Sequence, residues 1–274
     1  MKNNETLKKI KNIAELFKEI RQDNNLVNQD IEKYVEQVAK LQLLIKDEEI
    51  VKFVNAIEEI FILVDLNNGF TIEGLFKNPY MKALIEPANE VAKEFAEAPN
   101  KMNIVLNDGH HENSVEFKTF IGPNGEKHCI KGTSEAEYAE ALKWILDEFP
   151  VFEKNTTMAA FAPGFLDFLE SFPNLKRIIF AGGVTDICLM EAALPTKKFF
   201  DQNDKYIEIV VPKDLVDTYE IVIEHKNPDG KPVLVNGKPL IEVIHPREEY
   251  NEAAFKLMNQ AGIETPKQYV KKLA

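Results

Sequence analysis

Four positions in this 274-residue chain carry residue types suited to chemistry, each just past an apolar run. Asp65 follows Ile60-Phe61-Ile62-Leu63-Val64. Asp108, with His110 two residues on, follows Ile104-Val105-Leu106-Asn107. Lys154 comes after Phe149-Pro150-Val151-Phe152-Glu153, and Cys188 lies shortly beyond Arg177-Ile178-Ile179-Phe180-Ala181-Gly182-Gly183. A thiol hydrolase needs a nucleophilic sulfur, a group to handle its proton, and donors for an oxyanion. Asp65 can take the thiol proton and return it to a leaving amine. Lys154 can stabilise both anions, and backbone N–H groups near Val184 and Cys188 can hold the oxyanion. The glycine pair, a short polar turn and an apolar helical segment put Cys188 in the first turn of a helix. There the partial positive charge of the helix N-terminus favours thiolate. One polar residue after a strand means little. An acid, an acid–histidine pair, a lysine and a cysteine at four strand ends mean more.

A second chemistry overlaps the first. Asp108-Gly109-His110 places a carboxylate and an imidazole two residues apart, so on extended chain they point the same way. His128 can close the set, with Glu116 or His111 as a fourth ligand. Mixed nitrogen and oxygen donors suit a divalent metal: zinc first, with iron and manganese as alternatives. Three of the chain's five histidines fall between 110 and 128. His225 and His245 receive no role. Gly182-Gly183 matches neither the dinucleotide nor the Walker phosphate spacing.

These residues need a scaffold that gathers strand ends. Apolar runs at 60–64, 103–106, 149–152, 177–181 and 206–211 read as strands. Helical patterns over 82–95, 135–148, 165–172 and 188–200 lie between them. The alternation predicts an α/β domain with a parallel sheet and right-handed crossovers, in which ligands bind beyond the carboxyl ends of the strands. Asn227-Pro228-Asp229-Gly230 and Asn236-Gly237 lie between β-like runs at 221–223 and 240–244, which predicts a small antiparallel insertion over about 220–245. A last amphipathic helix covers 247–260. Residues 1–57 contain no Gly or Pro. Ile10, Ile13, Leu16, Phe17 and Ile20, then Ile31, Tyr34, Val35 and Val38, then Ile50, Phe53, Val54 and Ile57 recur at helical spacing. They predict two or three helices, with a break near Asn24-Asn25 and Asn28. This is an N-terminal helical extension, either an added layer on the main domain of residues 58–274 or an arm for a partner or a homo-oligomer.

Composition excludes several classes. The formal net charge of −12 disfavours nucleic acid, whose phosphates demand a dense basic face. Two cysteines, Cys129 and Cys188, imply no disulfide framework and fit a reducing cytoplasm. No segment has the apolar length of a membrane span, and the N-terminus has no apolar signal core.

From about Ile60 to Thr218, and again over 249–262, the chain resembles the isochorismatase-like cysteine hydrolases, within them the nicotinamidase/pyrazinamidase branch. The residues that carry this are Val64-Asp65…Phe70, Asp108-x-His110, His128-Cys129-Ile130-x-Gly132-Thr133, Lys154, and Gly183-Val184-Thr185-Asp186-x-Cys188. The resemblance implies a three-layer α/β/α fold and a triad of Asp65, Lys154 and Cys188 that forms an acyl-enzyme on the sulfur. It implies a cis peptide between Gly183 and Val184, whose turn aims N–H groups at the oxyanion. It implies a metal held by Asp108, His110 and His128, with Glu116 at the fourth-ligand position, and a ring flanked by Phe70 and Phe161. There are two departures. The first motif reads Asp65-Leu66-Asn67-Asn68-Gly69-Phe70, and Gly125 stands where a tryptophan is common. The single tryptophan, Trp144, is expected to pack in a helix.

Three functions follow as expectations. The first is a metal-dependent amidase converting nicotinamide to nicotinate and ammonia. The second is a related cysteine hydrolase of another small amide or carbamoyl compound. The third is a non-catalytic assembly protein on the same fold.

Overall fold

A computed structural model describes residues 4–22, 31–119 and 125–270. The core is one sheet in the order β3-β2-β1-β4-β5, with β6 beside β4. Its strands are β1 (Glu59–Val64), β2 (Lys101–Asp108), β3 (Val151–Lys154), β4 (Arg177–Gly183), β5 (Glu208–Val210) and β6 (Val216–Asp217). All of their pairings are parallel. Every residue of β2 and β4 is buried, so both faces of the sheet are covered. Continuous rather than alternating apolar runs are what such strands require. The expectation of a parallel α/β sheet holds.

Register decides what the strand ends share. Val64 of β1 lies between Leu106 of β2 and Gly182 of β4, and Asp108 of β2 lies beside Lys154 of β3. Asp65, Asp108, Lys154 and the turn after Gly183 therefore emerge at one edge.

Before β1 come α1 (Asn4–Gln22), α2 (Ile31–Leu44) and α3 (Glu48–Ala56). The expected break at Asn24, Asn25 and Asn28 lies outside the described residues. The first helix buries Leu7, Ile10, Ile13 and Ala14. It packs edge-on through Phe17 against Phe168, with ring centroids 6.2 Å apart. Lys11 donates to the carbonyls of Leu146 and Asp147 at 2.7 and 2.8 Å, a favourable use of a cation at a helix end. Arg21 pairs with Asp167 at a largely exposed site. Each buried aliphatic side chain contributes on the order of 2 kcal/mol, and an exposed ion pair under about 1. The apolar stripe therefore dominates this contact.

Between β1 and β2 run α4 (Asn68–Thr71), α5 (Pro79–Ala83) and α6 (Ile85–Glu97). Then come α7 (Lys143–Glu148), α8 (Phe165–Glu170), α9 (Met190–Gln202) and α10 (Arg247–Gln260). The helix expected over 135–148 forms only over Lys143–Glu148. Residues 134–136 and 140–142 are 3-10 turns. The backbone between them is drawn to the chain after β1: Asn68 N–H donates to Glu137 O, and Ala139 N–H to Leu66 O. Those bonds take the place of helical ones. Trp144 packs as expected, edge-on to Phe149 and donating to Asn89 Oδ1 at 2.9 Å.

The antiparallel insertion is present. β7 (Ile221–Glu224) pairs with β10 (Ile241–His245), and β8 (Leu234–Val235) pairs with β9 (Lys238–Pro239) around Asn236-Gly237. The strand side chains of this ribbon are exposed except for His245. Among the described residues, no helix is long and apolar enough to cross a membrane.

Gly164, at φ 76, precedes α8, and a Cβ there would lie 2.6 Å from the backbone carbon of Phe17. Gly164→Ala should therefore push α1 off the body. Amide exchange over residues 4–22 should accelerate by about tenfold or more, while β1, β2 and β4 stay protected. Unchanged exchange in α1 would contradict this packing.

Candidate active site

The site is built from backbone turns that the strand ends impose. Asp65 leaves β1 at φ 50, a left-handed conformation. Its N–H still donates to Leu106 O at 3.0 Å, so the side chain turns back over the sheet edge. Gly182 has φ 104, and a Cβ there would stand 2.0 Å from Val64 O. Only glycine lets β4 run this close to β1. The Gly183–Val184 peptide is cis, as the resemblance implies. A π-helical turn, Thr185–Leu189, follows and carries the buried Cys188.

Lys154 is the centre of the charges. Its Nζ lies 2.8 Å from Asp65 Oδ2, 2.7 Å from Asp108 Oδ1 and 3.7 Å from Cys188 Sγ. The whole side chain is buried. A lone ammonium there would be prohibitively costly, and two carboxylates offset that cost. Burial pushes the Asp65 carboxyl up to about 6, against the pull of Lys154. Burial also acts to raise Asp108, but Lys154 and then His110 hold it at about 2. The Cys188 thiol is pushed well above its ordinary value by burial, with Lys154 opposing. Burial thus acts against the thiolate expected from a helix N-terminus, and Asp65 stands beside the sulfur as an acceptor for its proton.

Asp108 divides its carboxylate. Oδ1 faces Lys154, while Oδ2 lies 3.1 Å from His110 Nε2 and 3.5 Å from His128 Nε2. The backbone brings the histidines together: His110 N–H donates to Cys129 O and Lys131 N–H to His110 O, making a parallel bridge between His110 and Ile130. Glu116 Oε2 stands 3.7 Å from His110 Nε2. Its other oxygen accepts from Thr157 N–H at 2.8 Å and Thr156 Oγ1 at 3.0 Å. Asn155 Oδ1 lies 3.3 Å from His110 Nδ1. Four consecutive residues, 154–157, thus serve both halves of the site.

The donors fit a metal. Ligand atoms from Asp108, His110 and His128 lie within 4.8 Å of one another. Atoms about 2 Å from a shared ion stand about 3 to 3.5 Å apart, near the separations seen. Among the described residues, His110 Nε2 and Glu116 Oε2 are buried without a hydrogen-bond partner, a costly state that an ion would relieve. Burial also pushes His128 down to about 4, so its ring is neutral and able to ligate.

A narrow cleft joins the two halves, with Cys188 and Lys154 at one side and Asp108, His110, His128 and Glu116 at the other. Phe70 lines it, as expected. Phe161 does not. The 3-10 turn Ala159–Phe161 buries Ala159 and Ala160 and turns the Phe161 ring outward, 69% exposed. His111 is also exposed. Sequence reading missed Phe76, Thr157, Ile187 and Tyr219, which line the cavity. Phe76 stacks on Phe70 at 6.4 Å and meets His128 edge-on at 4.8 Å; its place in the short aromatic run after Phe70 was the available signal. It also missed Asn67, a buried residue whose amide donates to Asp108 O at 2.9 Å and Ala136 O at 3.0 Å. Gly125 has open space where a side chain would begin.

The fold is a parallel α/β sheet whose strand ends gather polar residues at one edge. A model of the isochorismatase domain matches residues 59–224, and the chain belongs to that family. Nicotinamidase 1 of Arabidopsis thaliana is 26% identical over 145 residues, covering 47% of this chain and 56% of that relative, so the match spans little more than half of its length. A pyrazinamidase of Pyrococcus horikoshii in complex with zinc is similar in structure, with a TM-score of 0.53 and 23% identity over 77% of this chain and 99% of the other. PnC1 of L. infantum in complex with nicotinate has a TM-score of 0.56 at 18% identity, over 77% of this chain and 93% of the other. These structural likenesses establish the fold. The donor set of Asp108, His110 and His128 fits a divalent metal.

Asn155→Ala removes the contact at His110 Nδ1 and should weaken zinc binding by roughly 10- to 100-fold, measured by calorimetric titration of the metal-stripped protein. Unaltered affinity would remove Asn155 from the support of this site.

Proposed function

We propose that this protein is a metal-dependent amidase that converts nicotinamide to nicotinate and ammonia. One observation carries the reading: Lys154 and Cys188 line the same cleft as the Asp/His donors, and Asp108 joins the two groups. In this mechanism Cys188 Sγ attacks the carboxamide carbon and Asp65 takes its proton. The N–H groups of Val184 and Cys188 hold the oxyanion. Lys154 steadies the negative charge as it moves between sulfur and carboxylate. Asp65 returns the proton to the leaving amine, ammonia departs and a thioester remains on Cys188. Water, deprotonated by Asp65, then releases the acid. Phe70, Phe76 and Tyr219 bound the space for an aromatic ring. A divalent ion held by Asp108, His110 and His128, with Glu116 as fourth ligand, would supply a Lewis acid for a pyridine nitrogen; zinc is the first choice, and iron and manganese are alternatives. The reaction would serve NAD salvage in the cytoplasm.

Gly125 favours a second reading. The tryptophan common at that position in the resembled family is missing here, which suits another small amide or carbamoyl substrate on the same triad.

Metal-loaded protein should release ammonia from nicotinamide, and Cys188→Ala should lower kcat by at least about 10³-fold. Absence of release by the loaded wild type would reject nicotinamide and leave the second reading. Because Asp65 must be ionised to accept the thiol proton, kcat/KM should fall about tenfold per pH unit below about 6 and level off above it. An acid limb near 4, where an ordinary aspartate titrates, would argue against the upward shift that burial imposes on Asp65.

A further inference from the structure

His245 closes the hairpin that begins after Tyr219. It is buried, although the strand residues before it are exposed. Its Nε2 lies 3.0 Å from Asp186 Oδ2, and its Nδ1 lies 2.9 Å from the backbone oxygen of Tyr219. The ring stacks on Tyr250 at 3.8 Å and lies 4.3 Å from the Tyr219 ring. Asp186 belongs to the π-helical turn, two residues before Cys188. Its other oxygen accepts from Thr218 Oγ1 at 2.5 Å. The chain just past His245 is fastened separately: Arg247 reaches Asp217 with two contacts of 2.8 Å, and Asn251 adds one of 2.9 Å. Asp217 lies on β6, opposite Gly183.

We propose that His245 is a positioning residue that ties the Cys188 turn, through Asp186, to the Tyr219 wall of the cavity. The insertion is then part of the working site, because its closing residue sets where the sulfur points. Removing the ring leaves a nearly buried carboxylate oxygen and a backbone carbonyl short of a partner, and the turn must shift to recover them. A shift of about 1 Å in a reacting group can cost about 100-fold in rate. The activity readout below rests on the proposed amidase reading; the labelling readout does not.

The two ring nitrogens serve different walls, and two amides separate them. The glutamine amide reaches to the Nε2 position and keeps the bond to Asp186, while the asparagine amide sits near Nδ1 and keeps the bond to Tyr219. The test uses the full-length metal-loaded chain. It measures kcat and KM for ammonia release from nicotinamide, and the rate of Cys188 alkylation by iodoacetamide, located by peptide mass spectrometry.

His245→Asn should lower kcat by about 10- to 100-fold with KM within about threefold, and should change the alkylation rate of Cys188 at least about threefold. His245→Gln should keep kcat and the alkylation rate within about threefold of wild type and raise KM instead. His245→Ala should show both defects. The proposal is overturned if Gln and Asn alter kcat and KM alike, or if His245→Ala leaves kcat and alkylation within about twofold of wild type. Should His245→Ala fail to fold, the Gln and Asn pair still decides. A wild type inactive on nicotinamide would count against the amidase reading alone, since alkylation still reports the aim of Cys188.

Discussion

Everything at the sheet edge depends on one buried ammonium. Lys154 touches Asp65, Asp108 and Cys188, and the two carboxylates would be untenable as anions there without it. Two carboxylates this deep repel each other and are poorly solvated. The lysine lets both stay near the sulfur while their affinities for protons diverge, Asp65 upward and Asp108 downward. That divergence separates their uses: one carboxylate can trade a proton with sulfur, and the other stays anionic toward two imidazoles. The parallel register of β2 and β3 places Asp108 beside Lys154 before any side chain chooses a rotamer.

Much of this was legible in the sequence because a buried parallel strand announces its own end. A continuous apolar run can stop only where polar chain begins, so Asp65, Asp108 and Lys154 could be placed from their position after such runs. What lay in loops was less legible. Phe161 and Phe76 are both aromatic residues in turns, and only packing turns one outward and the other into the cavity. The helix expected over 135–148 was lost in part because residues 137 and 139 bond to the chain after β1, a long-range pairing that local periodicity does not encode. The burial that opposes a Cys188 thiolate was not legible for a related reason: a dipole can be inferred from a helix start, whereas desolvation cannot. His245 gave no sequence signal, because its partners are fixed only when the hairpin closes.

The first helix and the hairpin attach to the sheet in different ways. The first helix lies along the body through an apolar stripe and helix-end contacts, far from the sulfur in sequence and supporting the sheet from outside. The hairpin projects most of its side chains into solvent, yet both of its roots, Tyr219 and His245, reach the nucleophile turn. Distance along the chain is thus a poor guide to which addition bears on the chemistry.

The run Lys154-Asn155-Thr156-Thr157 has a consequence for how this protein can change. Its four residues address, in order, the charge cluster, His110 and Glu116. Displacement of the run as a body carries the lysine and the supports of the metal donors together, so their mutual spacing survives small movements of β3. A single inserted or deleted residue within it would put every later side chain out of phase at once. Over evolutionary time, the exposed ribbon can vary in length, whereas this tetrapeptide can vary only by substitution.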